Sequence, residues 1–173
     1  MKLEGKKIAV LLAAGFEDLE YWVTLMRLQE EGAEVVTVGP DKEEVTGKNA
    51  LTARADATAD EVDAASLDGV VIPGGWAPDK LRRYEGITGL VKTVHERGET
   101  VGIICHGGLV AISAGIVDGS RATGSLGIKD DLVNAGATWV DEAAFRDGNL
   151  VWGRVVADIP AFNRELVAAL AGG

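Results

Sequence analysis

Cysteine and histidine are scarce: the 173-residue chain holds one Cys and two His. A single cysteine excludes an internal disulfide. With only two histidines, one of them its neighbour, it leaves no plausible ligand set for a metal. The expected compartment is a reducing cytoplasm, and no cofactor or metal is expected. Positive charge is also short, with 17 Lys and Arg against 27 Asp and Glu and a formal net charge of −10. A field of that sign repels nucleic acid and anionic membrane surfaces. The densest basic group, Lys80, Arg82 and Arg83, is too small to reverse it. Long apolar runs are missing as well. The longest, Ile8 to Phe16, is interrupted by Gly15 and is far too short to span a bilayer. Positive charge in Met1 to Lys7 is followed by an apolar run that meets Glu17, Asp18 and Glu20, which predicts a first strand and no secretory signal. Neither a GxGxxG nor a P-loop pattern occurs, so a nucleotide cofactor gains no support.

What remains is ordinary for a soluble globular chain, 47% hydrophobic and 25% charged, and the length suits one domain over residues 1–173. Short apolar runs at Ile8–Leu12, Val35–Val38, Gly69–Ile72 and Val101–Cys105 read as strands buried on both faces, the pattern of parallel sheets covered by helices. Between them, Leu19–Glu31, stopped by Gly32, and Gly86–Arg97, stopped by Gly98, predict helices. A third helix is expected from about Gly108 to Gly115. A short one opens at Lys129-Asp130-Asp131 and ends at Gly136. The last runs from about Pro160 to Leu170, with Asp158 as its cap. Lys42–Thr58 predicts a β-hairpin off the main sheet, and Asp147-Gly148-Asn149 predicts a second hairpin. Alternation of strand and helix predicts a doubly wound α/β sandwich, a mostly parallel sheet with helices on both faces.

Gly102-Ile103-Ile104-Cys105-His106-Gly107-Gly108 carries the strongest chemical signal. A buried strand ends at a cysteine, a helix begins within about two residues, and glycines sit on both sides of the turn. This is the layout of a nucleophile elbow. The free N–H groups of the following helix favour a thiolate. Ile72-Pro73-Gly74-Gly75 ends a second strand at the same sheet edge, where the N–H of Gly75 paired with that of His106 makes an oxyanion hole. A third loop at that edge, Gly15-Phe16-Glu17-Asp18, offers Asp18 as a helix cap and Glu17 as a carboxyl facing the cysteine from the neighbouring strand. His95, among charged residues on its helix, is expected to be solvated. Trp22, Trp76, Trp139 and Trp152 are expected in the core or an interface.

Several motifs in one order resemble the PfpI intracellular-protease branch of the ThiJ/PfpI superfamily, relatives of the parkinsonism-associated deglycase. They are Gly15-Phe16-Glu17-Asp18-Leu19-Glu20, Thr46-Gly47-Lys48, Ile72-Pro73-Gly74-Gly75-Trp76-Ala77-Pro78-Asp79, Ile104-Cys105-His106-Gly107, Ile128-Lys129-Asp130-Asp131, Asn134-Ala135-Gly136-Ala137-Thr138-Trp139-Val140-Asp141 and Asp147-Gly148-Asn149. The resemblance implies a flavodoxin-like sandwich with Cys105 as nucleophile, Glu17 as the carboxyl beside it and His106 as catalytic histidine. Gly75 and His106 form the oxyanion hole, and Gly74, Ser125 and Arg154 line the substrate pocket. It further implies homo-dimers that assemble into hexamers, with Asp79 reaching His106 of a neighbouring subunit. Four positions depart from the family pattern. Asp79 replaces a Glu, Ser125 a tyrosine, and Gly108 and Val156 each a proline.

Three functions fit these residues. The first is a cysteine-dependent hydrolase or hydratase acting on reactive carbonyls, a deglycase or glyoxalase. The second is an intracellular cysteine peptidase acting on peptides. The third is a non-enzymatic stress protein or chaperone whose thiol senses peroxide. A class I glutaminase needs a later histidine, and none follows His106. Adjacent residues at an elbow often point apart, so His106 is a poor candidate base, which ranks small-carbonyl chemistry above proteolysis.

Overall fold

The computed structural model describes residues 1–172. Strand β1 (Lys7–Leu11) leads into helix α1 (Asp18–Glu30) and strand β2 (Glu34–Gly39). A hairpin of β3 (Glu44–Thr46) and β4 (Thr52–Arg54) follows, then β5 (Ala57–Thr58) and β6 (Gly69–Ile72). Helices α2 (Ala77–Leu81) and α3 (Glu85–Glu96) precede β7 (Thr100–Ile104) and α4 (Gly108–Ser113). The remainder is β8 (Arg121–Ala122), α5 (Lys129–Asn134), β9 (Thr138–Trp139), β10 (Ala144–Asp147), β11 (Leu150–Gly153) and α6 (Ile159–Leu170).

Seven strands form the main sheet in the order β10-β11-β7-β6-β1-β2-β5, parallel throughout except for the edge strand β10. The apolar runs read as strands are those strands. Every residue of β6, β7 and β11 is buried, as a sheet covered on both faces requires. Helix α6 packs on α1, while α4 packs on α2, α3 and α5. Close approach of α6 to the sheet depends on Gly102: a Cβ there would come within 2.8 Å of Leu166 and 3.2 Å of Phe162. This is the expected flavodoxin-like sandwich. Among the described residues no helix is long and apolar enough to cross a membrane.

Of the Lys42–Thr58 segment expected off the main sheet, the hairpin at 44–54 lies off it, whereas Ala57–Thr58 joins it as edge strand β5; the turn at Asp147-Gly148-Asn149 joins β10 to β11. Helix α2 was not anticipated. It is five residues long and starts with Pro78 in its first turn, where the missing N–H costs nothing. Asp158 stands at the cap position of α6, but its carboxylate does not cap. It accepts instead from the guanidinium of Arg154, 2.9 Å from Nε. Trp152 is in the core, whereas Trp76 is 64% exposed. His95 is half-buried rather than solvated, with Nδ1 enclosed and unpartnered.

Chain order places the site. After β5, added outside β2, the chain crosses back to β6 on the other side of β1, so the topological switch lies between β1 and β6. Ligands in open α/β sheets bind outside the carboxyl ends of the strands at such a switch. The loops after β1, β6 and β7 meet there.

Candidate active site

Cys105 follows the last residue of β7 and opens a single tight turn, Cys105–Gly107, before α4. Its φ is +59°, a left-handed conformation rare for a residue with a Cβ. Such strain persists only where surrounding contacts hold it. A Cβ on Gly107 would meet the Ile72 carbonyl oxygen at 2.4 Å, and one on Gly124 would meet the Cys105 carbonyl oxygen at 2.6 Å. The N–H of Ser125 donates to that same Cys105 carbonyl at 3.2 Å. The elbow expected from the glycines is present.

Gly74 and Gly75 form the facing wall. A side chain at Gly74 would collide with Glu20 Oε2 at 2.6 Å, Cys105 Cβ at 2.7 Å and His106 N at 2.9 Å. Gly75 has φ +77° and pairs with Phe16 through an isolated antiparallel bridge. The backbone N–H groups of Gly75 and His106 both approach the Cys105 sulfur and favour its ionised form. Two N–H donors therefore lie beside the sulfur, at the place where the sequence put an oxyanion hole.

The carboxyl beside the sulfur is Glu20. Glu17, the residue expected there, is the N-cap of α1. Its Oε2 accepts from the N–H groups of Leu19 and Glu20 at 2.9 Å each, and its Oε1 accepts from Asn49 Nδ2 at 3.0 Å. The physical reason is helix geometry. An N-cap carboxylate turns toward the free N–H groups of the first turn, whereas Cα–Cβ bonds inside a helix tilt toward its N-terminus. Glu20 therefore points back at the loops of the sheet edge. In an ordinary capping box a Glu at this position would accept from the N-cap N–H. Here the Glu17 N–H donates to the Gly74 carbonyl at 3.1 Å, and Glu20 Oε2 instead accepts from the Gly74 N–H at 2.6 Å. Glu20 Oε1 is buried with no conventional hydrogen-bond partner, and the carboxyl group interacts with the Cys105 thiol. The spacing Glu17-x-x-Glu20 was the signal available in the sequence: the first acid is consumed as a cap, and the second is free.

Burial pushes the Glu20 carboxyl up to about 7, helped by the charge of Glu17 and opposed by the Gly74 N–H. The same burial, together with the Glu20 charge, pushes the Cys105 thiol up to about 12. The N–H groups of Gly75 and His106 pull the other way. An unassisted low-pKa thiolate, expected from the elbow alone, is not what this environment favours. Instead two acids lie together, both raised by burial, and the charge of an ionised Glu20 further opposes ionisation of the thiol.

His106 lies with Nδ1 3.4 Å from the Cys105 sulfur. Adjacent residues at this elbow therefore do not point apart. Burial, and then the positive charge of Lys48, hold the imidazole below its ordinary pKa, so it is neutral at neutral pH. Ser125 closes the turn beside it, its Oγ accepting from the Gly127 N–H at 3.4 Å. A Cβ on Gly127 would sit 3.4 Å from His106 Nε2.

Two expected site residues stand apart. Arg154 is engaged by Asp141 and Asp158 and lines a cleft with Gly124, Leu126, Trp139 and Val155 rather than touching the sulfur. Asp79 on α2 is exposed and paired with Arg83 of the next turn. Within one chain it makes no bond to His106.

The family model described as the DJ-1/PfpI family matches residues 6–169. The chain is 42% identical over 164 residues to Deglycase TK1284 of Thermococcus kodakarensis, covering 95% of this chain and 99% of that protein. It is 40% identical over 169 residues to General stress protein 18 of Bacillus subtilis, with 96% and 98% covered. A crystal structure of a two-domain protein from Anabaena variabilis, containing DJ-1/ThiJ/PfpI-like and ferritin-like domains, superposes with a TM-score of 0.93 at 39% identity, over 95% of this chain and 48% of that one. With sheet order, elbow and family match in agreement over nearly its whole length, this chain belongs to the DJ-1/PfpI family.

Proposed function

We propose that the protein is a cysteine-nucleophile hydrolase of the deglycase or glyoxalase type, acting on small reactive carbonyls and their adducts. The observation that carries this reading is the set of groups at the half-buried Cys105 sulfur, which interacts with the buried Glu20 carboxyl and with the N–H groups of Gly75 and His106. The name of the Thermococcus relative supports it.

In the first step the Cys105 sulfur attacks the carbonyl carbon, and the thiol proton passes to the Glu20 carboxylate. The carbonyl π pair moves to oxygen, where the N–H groups of Gly75 and His106 meet the developing charge. A carboxylate with a pKa of about 7 suits this proton transfer at neutral pH. For a 2-oxoaldehyde, Glu20 returns the proton to the oxyanion, giving a hemithioacetal. Transfer of the C1 hydrogen to C2 as a proton then leaves a thioester. Water cleaves it to a 2-hydroxy acid and restores the thiol. The sum is dicarbonyl plus water giving hydroxy acid, with no external oxidant. Neutral His106, 3.4 Å from the sulfur, is placed to hold a proton at Nδ1 during these transfers.

The site is proposed to be completed in an oligomer, with Asp79 of one chain orienting His106 of another. Asp79 is solvent-facing, and apolar Leu19, Val23 and Met26 are exposed along α1. The test is consumption of methylglyoxal, and of methylglyoxal-treated N-acetyl-lysine, beside a fluorescent peptide library. The reading expects carbonyl loss that disappears in Cys105→Ser. Peptide cleavage without carbonyl loss overturns it.

A further inference from the structure

One cation at this site has no assigned task. Lys48 lies in the loop between β3 and β4, and that loop is clamped against the start of α1. Asp18 accepts from the N–H groups of Asn49 at 2.9 Å and Leu51 at 2.7 Å, the Lys48 N–H donates to the Phe16 carbonyl at 2.9 Å, and Asn49 Nδ2 reaches Glu17. This rigid latch holds the Lys48 ammonium 5.6 Å over the ring of Trp76, the exposed residue directly after Gly74-Gly75. Lys80 donates from Nζ to the Ala14 carbonyl at 3.1 Å.

Neither lysine has an ion pair among the described residues. The two carboxylates that hold the Lys48 loop accept from N–H groups, Asp18 from the loop backbone and Glu17 from α1 and Asn49. In this chain of net charge −10, four of the eight lysines pair with an acid, and Lys48, exposed beside Trp76, is one of the four among the described residues that do not. Its charge is felt inside, where it lowers both Glu20 and His106.

We propose that Lys48 is the anion-binding residue of this site and selects carbonyl substrates that carry a carboxylate. Resting on the function proposed above, this deepens it by naming the substrate class. The ammonium draws the carboxylate end to the rim between Trp76 and the hairpin loop, leaving the carbonyl carbon to Cys105. The protein's overall negative charge repels such substrates at long range, so local attraction at the mouth decides whether they bind.

The test separates this inference from the carbonyl chemistry. Cys105 is alkylated with iodoacetate, which is anionic, and with iodoacetamide, which is neutral and of nearly the same size. In both reactions the S–C bond forms, iodide leaves and the thiol proton is lost. The ratio of the two rates therefore cancels changes in the thiol itself, and glutathione supplies the reference ratio. For one partly exposed charge pair, Lys48→Met is expected to lower the iodoacetate-to-iodoacetamide ratio by about two- to fivefold. Lys48→Arg is expected to keep it, and high salt to bring the unaltered protein toward the Met variant. A ratio unchanged by Lys48→Met overturns the proposal. In turnover, Lys48→Met is expected to raise KM for glyoxylate relative to KM for methylglyoxal. If neither aldehyde is consumed the proposed function fails, while the alkylation ratio still decides the role of Lys48.

Discussion

Glu20→Gln separates what the site needs from what the fold prefers. The Glu20 side chain is fully buried, and its carboxyl is held at about 7 against an ordinary 4.5. Between those values the folded protein keeps a proton that the unfolded chain gives up. Stability is therefore lost as pH rises through that window, and the loss is complete above about pH 7. A shift of that size corresponds to about 3 kcal/mol, at 1.36 kcal/mol for each pH unit. Gln does not titrate, has nearly the same shape and can still accept from the Gly74 N–H through its amide oxygen. The variant is expected to match the parent near pH 4.5 and to become more stable as pH rises, by up to about 3 kcal/mol at pH 8. Urea unfolding at several pH values reads this directly, provided the m-values agree. Activity is expected to move the other way. Loss of the proton acceptor should lower kcat/KM for methylglyoxal by about 10²- to 10⁴-fold and remove the rise in rate through pH 7. A variant less stable than the parent at pH 8, or a stability difference independent of pH, refutes the account of Glu20 as a strained buried acid.

Three further outcomes are expected. Gly74→Ala should abolish carbonyl turnover, because its Cβ would lie 2.6 to 2.9 Å from Glu20, Cys105 and His106; circular dichroism checks that the fold survives, and full activity in a folded variant contradicts the packing described. Asp18→Ala should cost about 2–3 kcal/mol in urea unfolding by stranding the N–H groups of Asn49 and Leu51, and should loosen the loop that carries Lys48, seen as faster amide exchange at residues 47–51. If the chains assemble as proposed, Asp79→Ala should lower activity without dissociating that assembly, and exchange of subunits with Cys105→Ala chains should restore part of it; no recovery after proven exchange, or a fully active monomer, shows that Asp79 does not act in trans.

Much of this architecture was legible because its signals are local. Continuous apolar runs predict strands buried on both faces, and β1, β2, β6 and β7 lie there, with ends shifted by a residue. Glycines at Gly32, Gly98 and Gly136 mark helix ends because each adopts positive φ. The turn at Asp147-Gly148-Asn149 and the elbow at Cys105 follow from the same chemistry of small residues where the backbone must bend sharply. Helix α2 escaped because five residues are too few for periodicity to show.

The sequence by itself determined the sheet and the elbow, and it singled out Cys105 as the candidate nucleophile, since one cysteine between glycines at a strand end leaves few alternatives. Which acid faces that cysteine was decided only in three dimensions. Glu17 and Glu20 are equally acidic on paper, but one carbonyl of the distant Gly74 takes the Glu17 N–H and leaves Glu20 free to turn toward the sulfur. The pKa of the thiol was likewise a tertiary outcome. A helix N-terminus argues for lowering it, and burial beside a second acid outweighs that argument. Lys48 reads in the sequence as one more loop lysine. It stands over the ring of Trp76, beside Gly74-Gly75, with its loop held in place by Asp18 from another element. Pattern sets which residues lie on a face or at an edge, but proton sharing and field strength depend on distances between elements far apart in the chain.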